Sequence, residues 1–163
     1  MLMAVTGIPA VEEKEYIFTT PLVAGLSYKL VNPDSELLKK KLAQCYNHME
    51  KSVSRSKCED LYNADDLVKR VIAKTSDFWI STDKNENIKG SFVIGFGYMP
   101  RSRGISAEAI SGKFDFSVIV PVVEKYYKKL GFDFFEMTGR KGWEKVMEPL
   151  GFDFKTITIR KEL

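Results

Sequence analysis

The sequence predicts a mixed α/β domain, an α+β arrangement in which helices cover both faces of one sheet, in the order β-α-α-β-β-β-α-β-α-β. Apolar residues recur at helical spacing in three stretches, and β-branched and aromatic residues cluster in strand-length runs between them. Gly131 and Gly151 each stand one residue beyond an apolar helical pattern. There a left-handed backbone ends a helix at little steric cost and a β-rich segment begins.

Residues 1–33 hold two apolar, β-branched clusters, Tyr16 to Thr20 and Leu26 to Val31, broken by Pro21, Gly25 and Pro33. They read as an arm followed by a first strand. From Asp34, a suitable N-cap, the residues Leu37, Leu38, Leu42, Cys45 and Met49 recur at helical spacing and predict an amphipathic helix to about Ser52. A second helix is predicted where Asp65 or Asp66 caps the apolar face of Leu67, Val68, Val71 and Ile72.

The period then changes. Asp77 to Ser81 and Ile88 to Tyr98 flank the polar run Asp83 to Asn87 and predict a β-hairpin. Gly104 to Ile110 alternates and is the next strand, closed by Ser111-Gly112. Val118, Val122, Tyr126 and Leu130 lie four apart, with Ile119, Val123 and Tyr127 beside them, so a buried helix follows; Pro121 is expected in or near its first turn. A strand at Asp133 to Met137, a helix with Trp143, Val146, Met147 and Leu150 inward, and a last strand at Phe152 to Arg160 complete the pattern.

The chain of 163 residues, 44% apolar and 29% charged, has the size and composition of one domain. We expect residues 1–33 to be an N-terminal arm and first strand, and residues 34–163 the remainder of that domain. Lys and Arg total 25 against 22 Asp and Glu, a net charge of +3, which does not mark a dedicated nucleic-acid binder. Lys39-Lys40-Lys41 reads as a solvated helix face. Met1 to Ala10 has neither a basic leader nor a long apolar core, so neither a signal peptide nor a membrane span is expected, and cytosolic synthesis follows. Cys45 and Cys58 form no Cys-x-x-Cys pair and are expected as reduced thiols. Cys45-x-x-His48 with Cys58 supplies three zinc ligands where a closed site takes four, so no metal is expected.

Tyr98-x-Pro100 leading into a strand that ends at Gly112, the Gly139-Arg140-x-Gly142-Trp143 element, Gly151-Phe152 and the terminal Lys161-Glu162-Leu163 together resemble the GNAT acetyltransferases. Within that superfamily they are most similar to divergent GNAT-like proteins encoded by bacteriophages, some of them internal virion proteins. The resemblance covers roughly Phe78 to Leu163. It implies a mixed sheet with helices on both faces and, in a working enzyme, an acetyl-CoA diphosphate held by the backbone amides of a Q/R-x-x-G-x-G/A loop at a helix N-terminus.

The nearest match to that loop, Arg101 to Ser106, has Ser106 in place of the last small residue and leads into a strand. The loop in the expected place is Ser111 to Ser117, where one glycine, two phenylalanines and an acid crowd and repel a diphosphate, with Lys113 in partial compensation. It is read either as a cofactor loop, with Gly112, Lys113 and Arg140 as binding residues, or as a turn that packs Phe114 and Phe116 inward. The family's general acid, a Tyr four residues before Gly-Phe, falls on Met147, which carries no proton; Tyr126 and Tyr127 are the substitutes, or else pack on a helix face. Glu108 is the candidate catalytic base, or a solvated edge-strand residue, with Glu136 comparable. Arg140 at a helix entrance calls for an acid partner within the fold, a ligand phosphate or a partner protein, and Trp143 reads as a core anchor.

Two functions follow. The first is a bacteriophage GNAT-fold protein with a degraded acetyl-CoA loop, non-catalytic, binding no cofactor and acting through contacts with phage structural proteins or with itself, in the host cytoplasm or incorporated in the virion. The alternative is an acetyl-CoA-dependent N-acetyltransferase that transfers its acyl group directly to an amine.

Overall fold

The computed structural model describes residues 14–59, 61–138 and 142–155. Its centre is the predicted hairpin, β3 (Ser76–Thr82) and β4 (Ile88–Met99), whose β-branched and aromatic residues make a strand pair buried along most of its length. β1 (Tyr16–Thr19) and β2 (Ser27–Val31) extend the sheet on one side, and β5 (Ser102–Gly112) and β6 (Phe134–Met137) on the other. The strands lie in sequence order, all antiparallel except the β5–β6 pair, which is parallel. A parallel neighbour needs a crossover. The chain supplies it as α3 (Phe116–Lys129).

α1 (Leu37–Ser56) and α2 (Ala64–Ile72) cover one face. Leu38, Leu42, Cys45, Met49 and Val53 of α1 meet Leu67 and Val71 of α2 above Phe78, Ile80 and Val93. α3 covers the other face, placing Ile119, Val123 and Tyr127 over Trp79, Phe92, Ile94 and Ile105. The period-two strands thus divide their side chains between two cores. α4 (Trp143–Met147) and a single 3-10 turn (Glu148–Leu150) follow β6.

Several local expectations are corrected. Part of the N-terminal arm is a strand, β1, paired with β2. Asp34 does not cap α1: Ser35 Oγ accepts the Leu37 N–H at 3.1 Å, and Asp34 pairs with Lys74. α2 is capped by Asn63 rather than Asp65 or Asp66; the Asn63 side chain accepts from Asp66 N and the Asp66 carboxylate accepts from Asn63 N, both at 3.0 Å, a reciprocal capping box. Pro121 lies one turn deeper than expected, six residues after the Asp115 cap. Val146 faces outward, and Met147 is the buried residue of α4. Residues 152–155 are not strand, and the rest of the expected last strand lies outside the described residues, as do Gly139, Arg140 and Lys141. Among the described residues no helix is long and apolar enough to cross a membrane.

Candidate functional site

β5 and β6 run side by side only from Gly104 opposite Phe134 to Ala107 opposite Met137. Beyond that point β5 continues to Gly112 paired with β4, with no described residue of β6 opposite it. Just past the parting β5 also bulges: Ser91 faces Ser111 and Val93 faces Glu108, so two residues of β5 oppose one of β4, and Ala109 adopts φ 50°. A left-handed non-glycine residue on a bulge beside a gap in the sheet is the kind of local strain that collects at working sites.

The gap is roofed by the start of α3 and lined by Ala107, Ile110, Phe114, Phe116, Phe135 and Met137, with a cavity of about 20 Å³. That is room for about one water, and the lining offers it no polar partner. Phe114 does most of the filling. It stacks on Tyr28 at 6.3 Å and meets Phe92 edge-on at 5.5 Å. A Cβ at Gly90 would lie 2.7 Å from its ring. Phe116 in turn carries Trp143, edge-on at 5.7 Å, which anchors α4 to the start of α3.

Three backbone donors of the loop from Gly112 to Ser117 are engaged within the chain. Lys113 N donates to the Lys89 carbonyl at 2.9 Å and Asp115 N to the Tyr28 hydroxyl at 2.8 Å. Ser117 N donates to the Asp115 carboxylate at 3.0 Å, so the N-terminus of α3 is closed by a charge of the chain's own. Of the candidate cofactor residues, Gly112 has φ 93°, and a Cβ there would lie 2.2 Å from the Lys89 carbonyl oxygen. It serves the close approach of β5 to β4. It also borders a second small cavity, of about 30 Å³, with Cys45, His48, Ser91 and Ser111. Lys113 is exposed, and its carbonyl accepts from Ser81 Oγ at 2.8 Å. Arg140 lies outside the described residues.

Glu108 points to the α1/α2 face and pairs with Arg70 of α2. Its carboxylate lies over Gly95, where a Cβ would come within 2.9 Å of Oε1. Arg70 stands over the Tyr62 ring at 5.8 Å, and burial, followed by the charges of Cys58 and Glu108, drives the Tyr62 phenol upward. Arg70 Nε and, on the strand beside Gly95, Ser76 Oγ are buried without a protein partner among the described residues. Sequence reasoning missed Arg70, because nothing on α2 signals a carboxylate 38 residues away. It also missed Asp115 as a cap, although Asp-x-Ser before an apolar helical run is a legible start signal. Glu136, on β6, is exposed.

Tyr127 is buried. Its hydroxyl donates to Asp77 Oδ2 at 2.6 Å and accepts from Trp79 Nε1 at 3.0 Å. Burial, with the Asp77 charge, pushes its phenol far above the ordinary range, so its proton is held in the core. Tyr126 is half-buried, edge-on to Trp79. Met147, where the family's acid is expected, is buried. Cys45 and Cys58 are buried free thiols. Among the described residues no three His, Cys, Asp or Glu side chains gather to hold a metal.

No protein-family model matches the chain, and no curated protein matches it. Solved structures do. A predicted acetyltransferase with acetyl-CoA from Clostridium acetobutylicum superposes with a TM-score of 0.62 at 11% identity, over 84% of this chain and 96% of that one. Glucosamine-6-phosphate N-acetyltransferase from Arabidopsis thaliana gives 0.56 at 10% identity, over 84% and 97%. An aminoglycoside acetyltransferase from an uncultured soil metagenomic sample, in complex with sisomicin, gives 0.57 at 10% identity, over 85% and 97%. Such identities speak for architecture alone. The six-stranded sheet, with its single parallel pair and a helix crossing over it, is the fold of the GNAT acetyltransferases.

Proposed function

We propose that this protein keeps the GNAT fold, has given up acetyl-CoA, and works through protein contacts. The observation that carries the reading is the Asp115 carboxylate on the first turn of α3. A diphosphate brought to that helix end meets a negative charge and a Ser117 amide already bonded to it. Phe114 and Phe116, filling the gap between β5 and β6, leave no room for an acyl-carrying arm. In its finer form, which rests on the resemblance to bacteriophage-encoded relatives, the protein is a virion- or infection-associated component whose partners are phage structural proteins or a second copy. The exposed Ile17, Leu22 and Val23, before β2, then belong to its docking surface.

The test is thermal unfolding and isothermal titration with acetyl-CoA. A ligand at a hundred times its dissociation constant adds about 2.7 kcal/mol of stability. No shift and no heat are expected, and a clear rise in Tm rejects the reading. Recovery with assembled particles supports the finer form; a protein found only free in infected cells counts against it.

A second reading, an acetyl-CoA-dependent N-acetyltransferase, is favoured by the parting of β5 from β6, the Ala109 bulge, and a structural neighbour solved with acetyl-CoA. Glu108 is then the base and Arg70 its positioning partner. Glu108→Gln is expected to lower turnover while acetyl-CoA binding persists. Unchanged turnover removes Glu108 from the chemistry.

A further inference from the structure

At the end of the sheet away from the Gly112 loop, the β4–β5 turn and the last turn of α3 form an exposed apolar surface. Tyr98 is 66% exposed and Leu130 50%. They are joined by Phe132, whose ring lies 6.4 Å from that of Tyr98. The Arg103 guanidinium stands over both rings, 4.7 Å from the centroid of Phe132 and 5.3 Å from that of Tyr98. Scattered exposed apolar residues need no explanation, but a Tyr and a Phe gathered around an arginine have the composition of a protein-binding centre.

Among the described residues the charges around this surface are mostly positive. Arg101, Arg103, Lys128 and Lys129 are all exposed. The nearby acid, Asp133, has its carboxylate turned onto the Arg103 backbone N–H at 2.8 Å. We propose that the surface of Tyr98, Leu130 and Phe132, with Arg103 over its rings, binds a segment of another protein in which aromatic or aliphatic side chains are flanked by carboxylates. A second copy of this chain is disfavoured, because a two-fold interface sets the same cationic patch against itself. Single-stranded nucleic acid is disfavoured too. Arg103 stands over the Phe132 and Tyr98 rings, and Leu130 gives no stacking platform.

The test is selection of a displayed library of random short peptides on the intact protein, followed by anisotropy with a fluorescent copy of the consensus peptide. The expected consensus places Asp or Glu around aromatic or aliphatic residues. Its affinity is expected to fall at least about tenfold in Tyr98→Ser and in Arg103→Glu, and to weaken with added salt. Both residues are exposed, and equal Tm values verify that the variants fold; Leu130→Ser provides a third, uncharged probe. Lys40→Glu, on the exposed face of α1, is expected to leave binding unchanged. The proposal is overturned by a selection that yields no consensus, by a consensus without acids, or by undiminished binding in the variants. It is equally overturned by a wild-type dimer that Tyr98→Ser dissolves, or by oligouridine binding that the variants abolish. This surface lies at the opposite end of α3 from Asp115. A protein that binds both acetyl-CoA and the peptide therefore loses only the non-catalytic reading.

Discussion

Asp77 is the residue whose environment most opposes its charge. Burial holds its carboxyl above the ordinary 3.8, and the bond from Tyr127 only partly offsets this. A raised folded value contributes stability that is fully present below the unfolded pKa and lost as pH climbs through the folded one. Asp77→Asn, which keeps an oxygen for the Tyr127 hydroxyl, is therefore expected to gain on the wild type as pH rises from about 3 to 7. Paired melting curves across that range check it; a constant difference in Tm removes Asp77 as the cause. Gly112 is the opposite case, a residue with no chemistry and no latitude. With φ 93° and the Lys89 carbonyl against its missing side chain, Gly112→Ala is expected to cost at least about 2 kcal/mol in urea unfolding. A neutral result would mean that β4 and β5 separate freely there.

The helices show where sequence signals compete. Asn63 precedes two aspartates that both have cap propensity; it prevails because Asp66 then sits at the third helical position and returns its N–H bond. Asn63→Ala is expected to lower stability by about 1 kcal/mol, measured by denaturant midpoint. Pro121 is the other departure. A proline beyond the first turn withholds a hydrogen bond and presses on the preceding turn, so Pro121→Ala is expected to stabilise by about 1 to 3 kcal/mol, and a loss would show that the rigidity of the proline outweighs the bond it withholds. The strands and the apolar faces of α1, α2 and α3 were legible because their periods are written in consecutive residues. The Glu108–Arg70 pair and the Tyr127–Asp77 bond were not, since each joins elements dozens of residues apart and no local pattern encodes either partner. The bulk of the Gly112 loop was readable from Phe114 and Phe116. That its amides are engaged by Lys89, Tyr28 and Asp115 required the sheet to be assembled.

At the scale of the molecule, the two cores lie on opposite faces of one sheet and share its central strands, Phe78 and Ile80 facing α1 and α2 while Trp79 faces α3. Substitution on either face is thus expected to melt both in a single transition, and Trp79 fluorescence and far-ultraviolet circular dichroism should give the same midpoint. β1 with β2, β3 with β4 and β4 with β5 join by local connections, and β2 pairs with β3 across the excursion through α1 and α2, whereas β6 is tied in by four parallel residues after a helical detour. In amide hydrogen exchange the β3–β4 hairpin should be the slowest region, and β6 with α4 should form an early-opening unit of low local free energy. The chain would then carry a detachable margin beside a durable centre, and a protease at low temperature would nick the former while the latter stayed whole.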